Sequence, residues 1–106
     1  MKLVSVYGLN KINDFTYEVN EGSDPPINLN DIVKVSIRTT DEGPFLEDVF
    51  LMIYDKDDTV FEVEQQAPFY YFIYGIVSLF KDFNYDQVIK AMQSTQNNEF
   101  ICWEKK

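Results

Sequence analysis

The sequence contains no histidine and a single cysteine, Cys102. The absence of histidine excludes Ser-His and Cys-His catalysis, imidazole bases that act near neutral pH, and histidine metal sites. One cysteine cannot form a disulfide within the chain, and small extracellular domains usually carry several, so we expect a reducing, cytoplasmic environment. We interpret Cys102 as a buried structural thiol, because no histidine is there to activate it.

Long hydrophobic runs and basic residues are also scarce. The longest apolar stretch, residues 68–80, includes three tyrosines and is shorter than the roughly 20 residues that cross a bilayer. The apolar residues 3–7 are too few for the core of a secretory signal, so we expect neither a membrane span nor a signal peptide. Only 9 Lys and Arg oppose 18 Asp and Glu. The resulting net charge of −9 argues against nucleic acid as a partner.

What the chain does have is enough apolar sequence for one core, and we predict a single domain over residues 1–106. Its first half has the patterns of strands. Residues 3–7 and 14–19 are two predicted strands joined by a hairpin connection at 8–11, and residues 21–26 are a predicted surface loop. Residues 32–39 and 59–64 alternate between apolar and polar. Residues 49–54 are apolar throughout, which predicts a central strand covered on both faces.

The second half has the spacing of helices. Residues 68–80 predict one helix, with its buried side made by Phe69, Phe72, Ile73, Ile76, Val77 and Phe80. A second helix begins after Asn84 as N-cap, and its predicted buried stripe is Tyr85, Val88, Ile89 and Met92. Residues 100–103 predict a final strand. The expected fold is α+β: a mostly antiparallel sheet of five to six strands, two C-terminal helices packed on one face, and a final short strand.

The acidic residues are concentrated in one segment. Residues 41–64 contain nine of the 18 acids and one base, which gives this segment a charge of −8 and leaves the rest of the chain near neutral. A predicted hairpin would hold these acids at one edge or end of the sheet, where their field would steer a basic protein partner. The alternative is that they only solvate turns and protect an edge strand. The nine acids are Asp41, Glu42, Glu47, Asp48, Asp55, Asp57, Asp58, Glu62 and Glu64.

We also tested the acidic residues as a metal or catalytic site. The turn at residues 55–58 fails as an EF-hand, because Val60 and Gln66 stand where that loop needs glycine and glutamate. Carboxylate pairs could in principle support a metal-assisted hydrolase, but an acidic sheet offers such pairs by accident. We therefore predict no catalytic residues, no metal and no cofactor.

The tyrosines near residue 70 are the second candidate for a binding surface. Five aromatic residues fall between 69 and 74, and consecutive helix positions point about 100° apart, so one helix face cannot bury them all. We expect Tyr70, Tyr71 and Tyr74 to point outward. There they would either form part of a partner-binding surface or pack under the loop at 21–26.

Several short motifs give the chain a resemblance to a group of small bacterial cytosolic proteins of unassigned function. They are RTTDEGPF at 38–45, DVF at 48–50, QAP at 66–68, AMQST at 91–95 and FICW at 100–103. Size, acidity and aromatic content are similar to those of immunity proteins that neutralise bacterial toxins. This resemblance implies a protein-binding module or inhibitor with a basic protein partner. The alternative is a self-associating structural or housekeeping domain, a homo-oligomer whose charge serves solubility.

Overall fold

The structure, a computed structural model, describes residues 1–41 and 48–106, and these residues form eight strands and two α-helices. The strands are β1 (Lys2–Ser5), β2 (Leu9–Lys11), β3 (Thr16–Val19), β4 (Asp24–Asn28), β5 (Ile32–Thr39), β6 (Val49–Asp55), β7 (Thr59–Glu64) and β8 (Asn98–Glu104). The helices are α1 (Tyr70–Val77) and α2 (Tyr85–Gln93). The predicted α+β class is confirmed, although the strands divide between two sheets.

The larger sheet has five strands in the order β1-β7-β6-β5-β8. The strand β6 is central, as predicted, and Leu51, Met52 and Ile53 are buried on both of its faces. The sheet is antiparallel except where β1 lies parallel to β7. A register shift near Val33 interrupts the predicted alternation of β5, and Val33 is only half-buried.

The smaller sheet, with the order β2-β3-β4, was not predicted. The expected hairpin connection at residues 8–11 is wrong, because Leu9–Lys11 is a strand that pairs with β3, while β1 pairs with β7. The expected loop at 21–26 is wrong from Asp24 onward, where β4 begins. Pro25 and Pro26 are tolerated in β4 because it is an edge strand, which needs fewer backbone donors.

Asn20 joins the two sheets from a buried position with a left-handed backbone, φ 54°. Its side-chain oxygen accepts hydrogen bonds from the backbone N–H of Tyr7 (2.8 Å) and Gly8 (3.1 Å). Its amide donates to the carbonyl of Ser5 (3.0 Å) and to a carboxylate oxygen of Asp24 (2.7 Å). One side chain therefore links the end of β1 to the start of β4.

One core fills the space between one face of the larger sheet, the two helices and the smaller sheet. The helices contribute Tyr70, Ile73, Val77 and Ala91 to it. Cys102 is buried there, as predicted. The sheets contribute Val4, Tyr17, Val19, Ile27, Val35, Ile37, Leu51, Ile53, Phe61 and Val63. The other face of the larger sheet carries the alternate side chains of the same strands and is called the open face below.

The two helices confirm some of the sequence signals and correct others. Asn84 caps α2 as predicted, since its side chain accepts from the backbone N–H of Asp86 (3.0 Å) and Gln87 (3.3 Å). The helix α1 is shorter than the predicted 68–80. Within residues 1–41 and 48–106, no helix has the length and apolar character needed to cross a membrane.

Candidate functional site

The acids of the turn between β6 and β7 are partly engaged in building that turn. Asp55 accepts hydrogen bonds from the backbone N–H of Asp57 (2.9 Å) and Thr59 (3.0 Å), the pattern of an Asx turn. Asp58 has a left-handed backbone, φ 64°, and its carboxylate lies 3.1 Å from the amino group of Met1. Of the three predicted acids here, only Asp57 has a carboxylate without a hydrogen bond or ion pair among the described residues.

Positive groups also collect at this end of the sheet. Besides the Met1 amino group, Lys2 donates its backbone N–H to the carbonyl of Asp58. Lys56 lies 3.8 Å from Asp31. The backbone N–H of Lys105 donates a hydrogen bond to the carbonyl of Val33, near the start of β5. The Met1 ammonium, paired with Asp58, and Lys56, within the turn itself, offset part of the negative charge of the turn.

The remaining acids of the segment lie elsewhere. The strand β6 has seven residues, which separates its two ends by about 20 Å. At the end opposite the turn lie Asp41 and Asp48, and Glu64 at the end of β7 pairs in register with Phe50. The predicted single acidic patch is therefore split between two ends of the sheet. Glu42 and Glu47 lie outside the described residues.

Glu62 is on the open face, where its carboxylate pairs with the guanidinium of Arg38 at 2.5 Å. A second carboxylate on this face, Glu99, was not predicted as a site residue. It accepts hydrogen bonds from the hydroxyls of Ser36 (2.5 Å) and Tyr54. Burial alone would raise the pKa of Glu99, but these two hydrogen bonds and the nearby charges of Lys34 and Arg38 together hold the pKa below its ordinary value of 4.5.

Glu99 is thus held as an ionised hydrogen-bond acceptor, without the raised pKa of a general acid. In residues 1–41 and 48–106, no group of three or more Cys, Asp or Glu is placed to hold a metal ion. Glu99 could not be assigned to this face from the sequence. Its strand, β8, pairs with β5, and Glu99 lies 63 residues from Ser36 along the chain, so no local pattern indicates that they meet.

The three predicted tyrosines have three different environments. Tyr70 is 1% exposed, so the expectation that it points outward is wrong. The inward side of α1 is made by Tyr70, Ile73 and Val77, while the predicted core residue Phe72 is half-exposed. Tyr74 is half-buried, stacked on Tyr70. Tyr71 is exposed at 69%, as predicted.

The predicted buried stripe of α2 is also mostly exposed. Ala91 is the buried residue of this helix and Val88 is half-buried, whereas Tyr85, Ile89 and Met92 are exposed at 52%, 55% and 44%. A small residue on the inward side lets the helix lie close to the sheet and leaves its larger apolar residues at the flank.

Tyr85, Ile89 and Met92 follow one face of α2 at spacings of four and three residues. The hydroxyl of Tyr85 donates to the carbonyl of Ser78, after the end of α1 (2.7 Å), and the amide of Gln65, before α1, lies 3.5 Å from the sulfur of Met92. Each end of α2 therefore contacts the chain next to α1. A chain of ring contacts runs from α1 to the start of α2, through Tyr71, Tyr70, Tyr74, Phe83 and Tyr85.

We call the exposed apolar surface made by Tyr71, Tyr85, Ile89 and Met92 the helix seam. Acidic residues border both of its ends. Glu64 precedes Gln65 at the Met92 end, and Asp82 and Asp86 flank Tyr85 at the other. No protein-family model, no curated protein and no solved structure matches this chain.

Proposed function

We propose that this protein is a small cytoplasmic protein-binding module, of the kind that immunity proteins and other inhibitors represent. Its binding surface is the helix seam, and its partner is a protein with a basic surface around an apolar patch. In this proposed role the protein catalyses no reaction and uses no cofactor. It is supported above all by four large apolar side chains, each 44% or more exposed, along one pair of helices.

Contiguous exposed apolar groups on a small domain commonly mark a binding surface. Tyrosines favour such a role because each combines a large contact area, a rigid ring and a hydroxyl. The hydroxyl of Tyr85 is bonded to Ser78, which fixes that ring before any partner arrives. Pre-ordering of this kind lowers the entropy cost of association.

The charges at the border of the seam select a basic partner. Glu64 lies at the same end of the sheet as Asp41 and Asp48, and Gln65 connects this end to Met92. The acidic end of the sheet and the seam are therefore neighbours. The acids that we propose for binding are therefore those at the end of the sheet opposite the turn at residues 55–58. The field of these acids would raise the association rate.

The test begins with affinity capture from a lysate of the source organism at low salt, followed by purification of the captured protein and measurement of its association and dissociation rates. We expect Ile89→Ser to raise the dissociation rate about tenfold or more, because it removes apolar contact at the centre of the surface. We expect Glu64→Lys to lower the association rate about threefold to tenfold and to flatten its dependence on salt.

Two matched control variants are available. Ile12→Ser makes the same change at a side chain with similar exposure (58%) in the hairpin of the smaller sheet. Glu104→Lys reverses one exposed acid at the other end of the sheet. Equal effects from site and control variants would refute the proposal. Failure to capture a saturably binding protein at low salt would also count against it.

Self-association through the same seam is the second candidate, since an exposed apolar surface can also pair with itself. Two copies, each with a net charge of −9, would repel one another on approach. Sedimentation over a concentration range separates the two functions. A monomer favours the hetero-partner, and a dimer that Ile89→Ser dissolves would establish self-association instead.

A further inference from the structure

A small cavity beside Trp103 carries features that the proposed protein-binding surface does not use. Its volume is about 240 Å³. It lies between the segment before β5, the chain after α1 and the end of β8. Its lining comprises Leu29, Asn30, Ile32, Phe80, Lys81, Trp103 and Lys105.

The apolar wall of the cavity is rigid. The indole N–H of Trp103 donates to the backbone carbonyl of Lys81 at 2.9 Å, which fixes the orientation of the ring. The ring of Phe80 lies 4.7 Å from the Trp103 ring, centroid to centroid, at an angle of 55°. Ile32, which is buried, contributes an aliphatic surface. Together these groups form an aromatic and aliphatic wall of the kind that holds a planar apolar group.

The charge of the cavity lining is opposite to that of the chain. Among the described residues, the lining of the cavity includes two lysines, Lys81 and Lys105, and no carboxylate. The Lys105 ammonium lies 3.5 Å from the carbonyl of Asn30, another lining residue, which places it at the rim. Lys106 lines an adjoining cavity that also contacts Trp103, together with Asp82 and Glu104. Three of the nine basic residues of an acidic chain are thus gathered around one tryptophan.

We infer that this cavity binds a small organic anion with a single aromatic ring. The ring would lie against Trp103 and Phe80, and the anionic group would be held by Lys81 and Lys105. A volume of about 240 Å³ has room for one ring with a short acidic tail. Phenylacetate has this size and chemistry and is the probe we choose.

The sole tryptophan of the chain lies in the cavity wall, so its fluorescence reports on occupancy directly. Titration of the full chain with phenylacetate is expected to change the Trp103 emission saturably, with a dissociation constant on the order of 1 mM. Phenylacetamide, which has the ring without the charge, is expected to bind more weakly. Acetate, which has the charge without the ring, is expected to leave the emission unchanged.

Variants identify the groups responsible. Lys81→Gln and Lys105→Gln are each expected to weaken phenylacetate binding about threefold, as for exposed charge pairs. Lys90→Gln, on the exposed side of α2, is the control and should leave binding unchanged. A linear, unsaturating emission change like that of free tryptophan would overturn the inference. Equal affinity for the amide, or equal weakening by Lys90→Gln, would also overturn it.

Discussion

Replacing Asn20 with alanine tests whether one side chain holds the two sheets together. Asn20 is 1% exposed and makes four hydrogen bonds, two as acceptor and two as donor. The variant leaves the backbone N–H groups of Tyr7 and Gly8 without their acceptor. It also leaves the carbonyl of Ser5 and the carboxylate of Asp24 without their shared donor. No other residue type supplies two acceptor contacts and two donors from this backbone conformation as readily.

The magnitude follows from those contacts. A hydrogen bond contributes about 1 kcal/mol net, and four of them amount to roughly 4 kcal/mol. Alanine at φ 54° adds about 1 kcal/mol of backbone strain that asparagine tolerates better. We expect Asn20→Ala to lower the free energy of unfolding by roughly 4 to 5 kcal/mol, a large part of the 5–15 kcal/mol typical of a domain.

Urea unfolding followed by circular dichroism measures this loss. Asn20→Gly separates the two contributions, because glycine removes the hydrogen bonds without the strain, and we expect it to recover only about 1 kcal/mol. Asn10→Ala, at an exposed asparagine in β2, is the control and should cost less than about 0.5 kcal/mol. A loss below about 1 kcal/mol for Asn20→Ala, or wild-type stability for Asn20→Gly, would refute the reasoning.

Three further predictions concern single side chains. Because the pKa of Glu99 is lowered on folding, its stabilising contribution is present above the ordinary value of 4.5 and is lost as the pH falls through the folded pKa. Glu99→Gln should therefore be less stable than the wild type at pH 7 and about equal to it near pH 2 in urea unfolding, and a pH-independent difference would contradict this. Burial raises the pKa of Cys102 to about 11, so the folded chain should react with a thiol reagent at pH 8 far more slowly than the chain in urea, and equal rates would contradict it. Asn84→Ala should lower the free energy of unfolding by about 1 kcal/mol through loss of the α2 cap, whereas Gln93→Ala, at the exposed end of α2, should leave it nearly unchanged.

The elements with strong local signals could be predicted from the sequence. The strand β6 has apolar residues throughout and proved to be central, because only a strand covered on both faces requires that pattern. The start of α2 followed from Asn84, since an N-cap acts over three residues and needs no tertiary context.

The smaller sheet could not be predicted because its signals are weak or misleading. The strand β2 has three residues, too few for a period, and β4 contains two adjacent prolines that normally indicate a loop. Its place at a sheet edge is what makes the prolines acceptable, and edge position is a property of the fold. The pairing of β1 with β7 likewise has no local signal.

Where the acidic and apolar side chains lie on the fold could not be predicted from their spacing in the sequence. Apolar residues at helical spacing in α2 suggested a buried stripe, yet spacing alone does not say how much of that stripe a neighbouring helix covers. Residues 41–64 are rich in acids, but the strand β6 separates the two ends of this segment in space. The amino group of Met1 lies next to Asp58 at one of these ends.

The parallel pairing of β1 with β7 has a consequence for folding during synthesis. Lys2 pairs in register with Thr59, so β1 has no partner until 57 further residues have been added. At about 5–20 residues per second, β1 waits for roughly 3 to 11 s. Over that interval β5 and β6 can pair, and β7 then joins β6 and provides the sheet edge on which β1 docks. Such docking is slow because the closed loop is long.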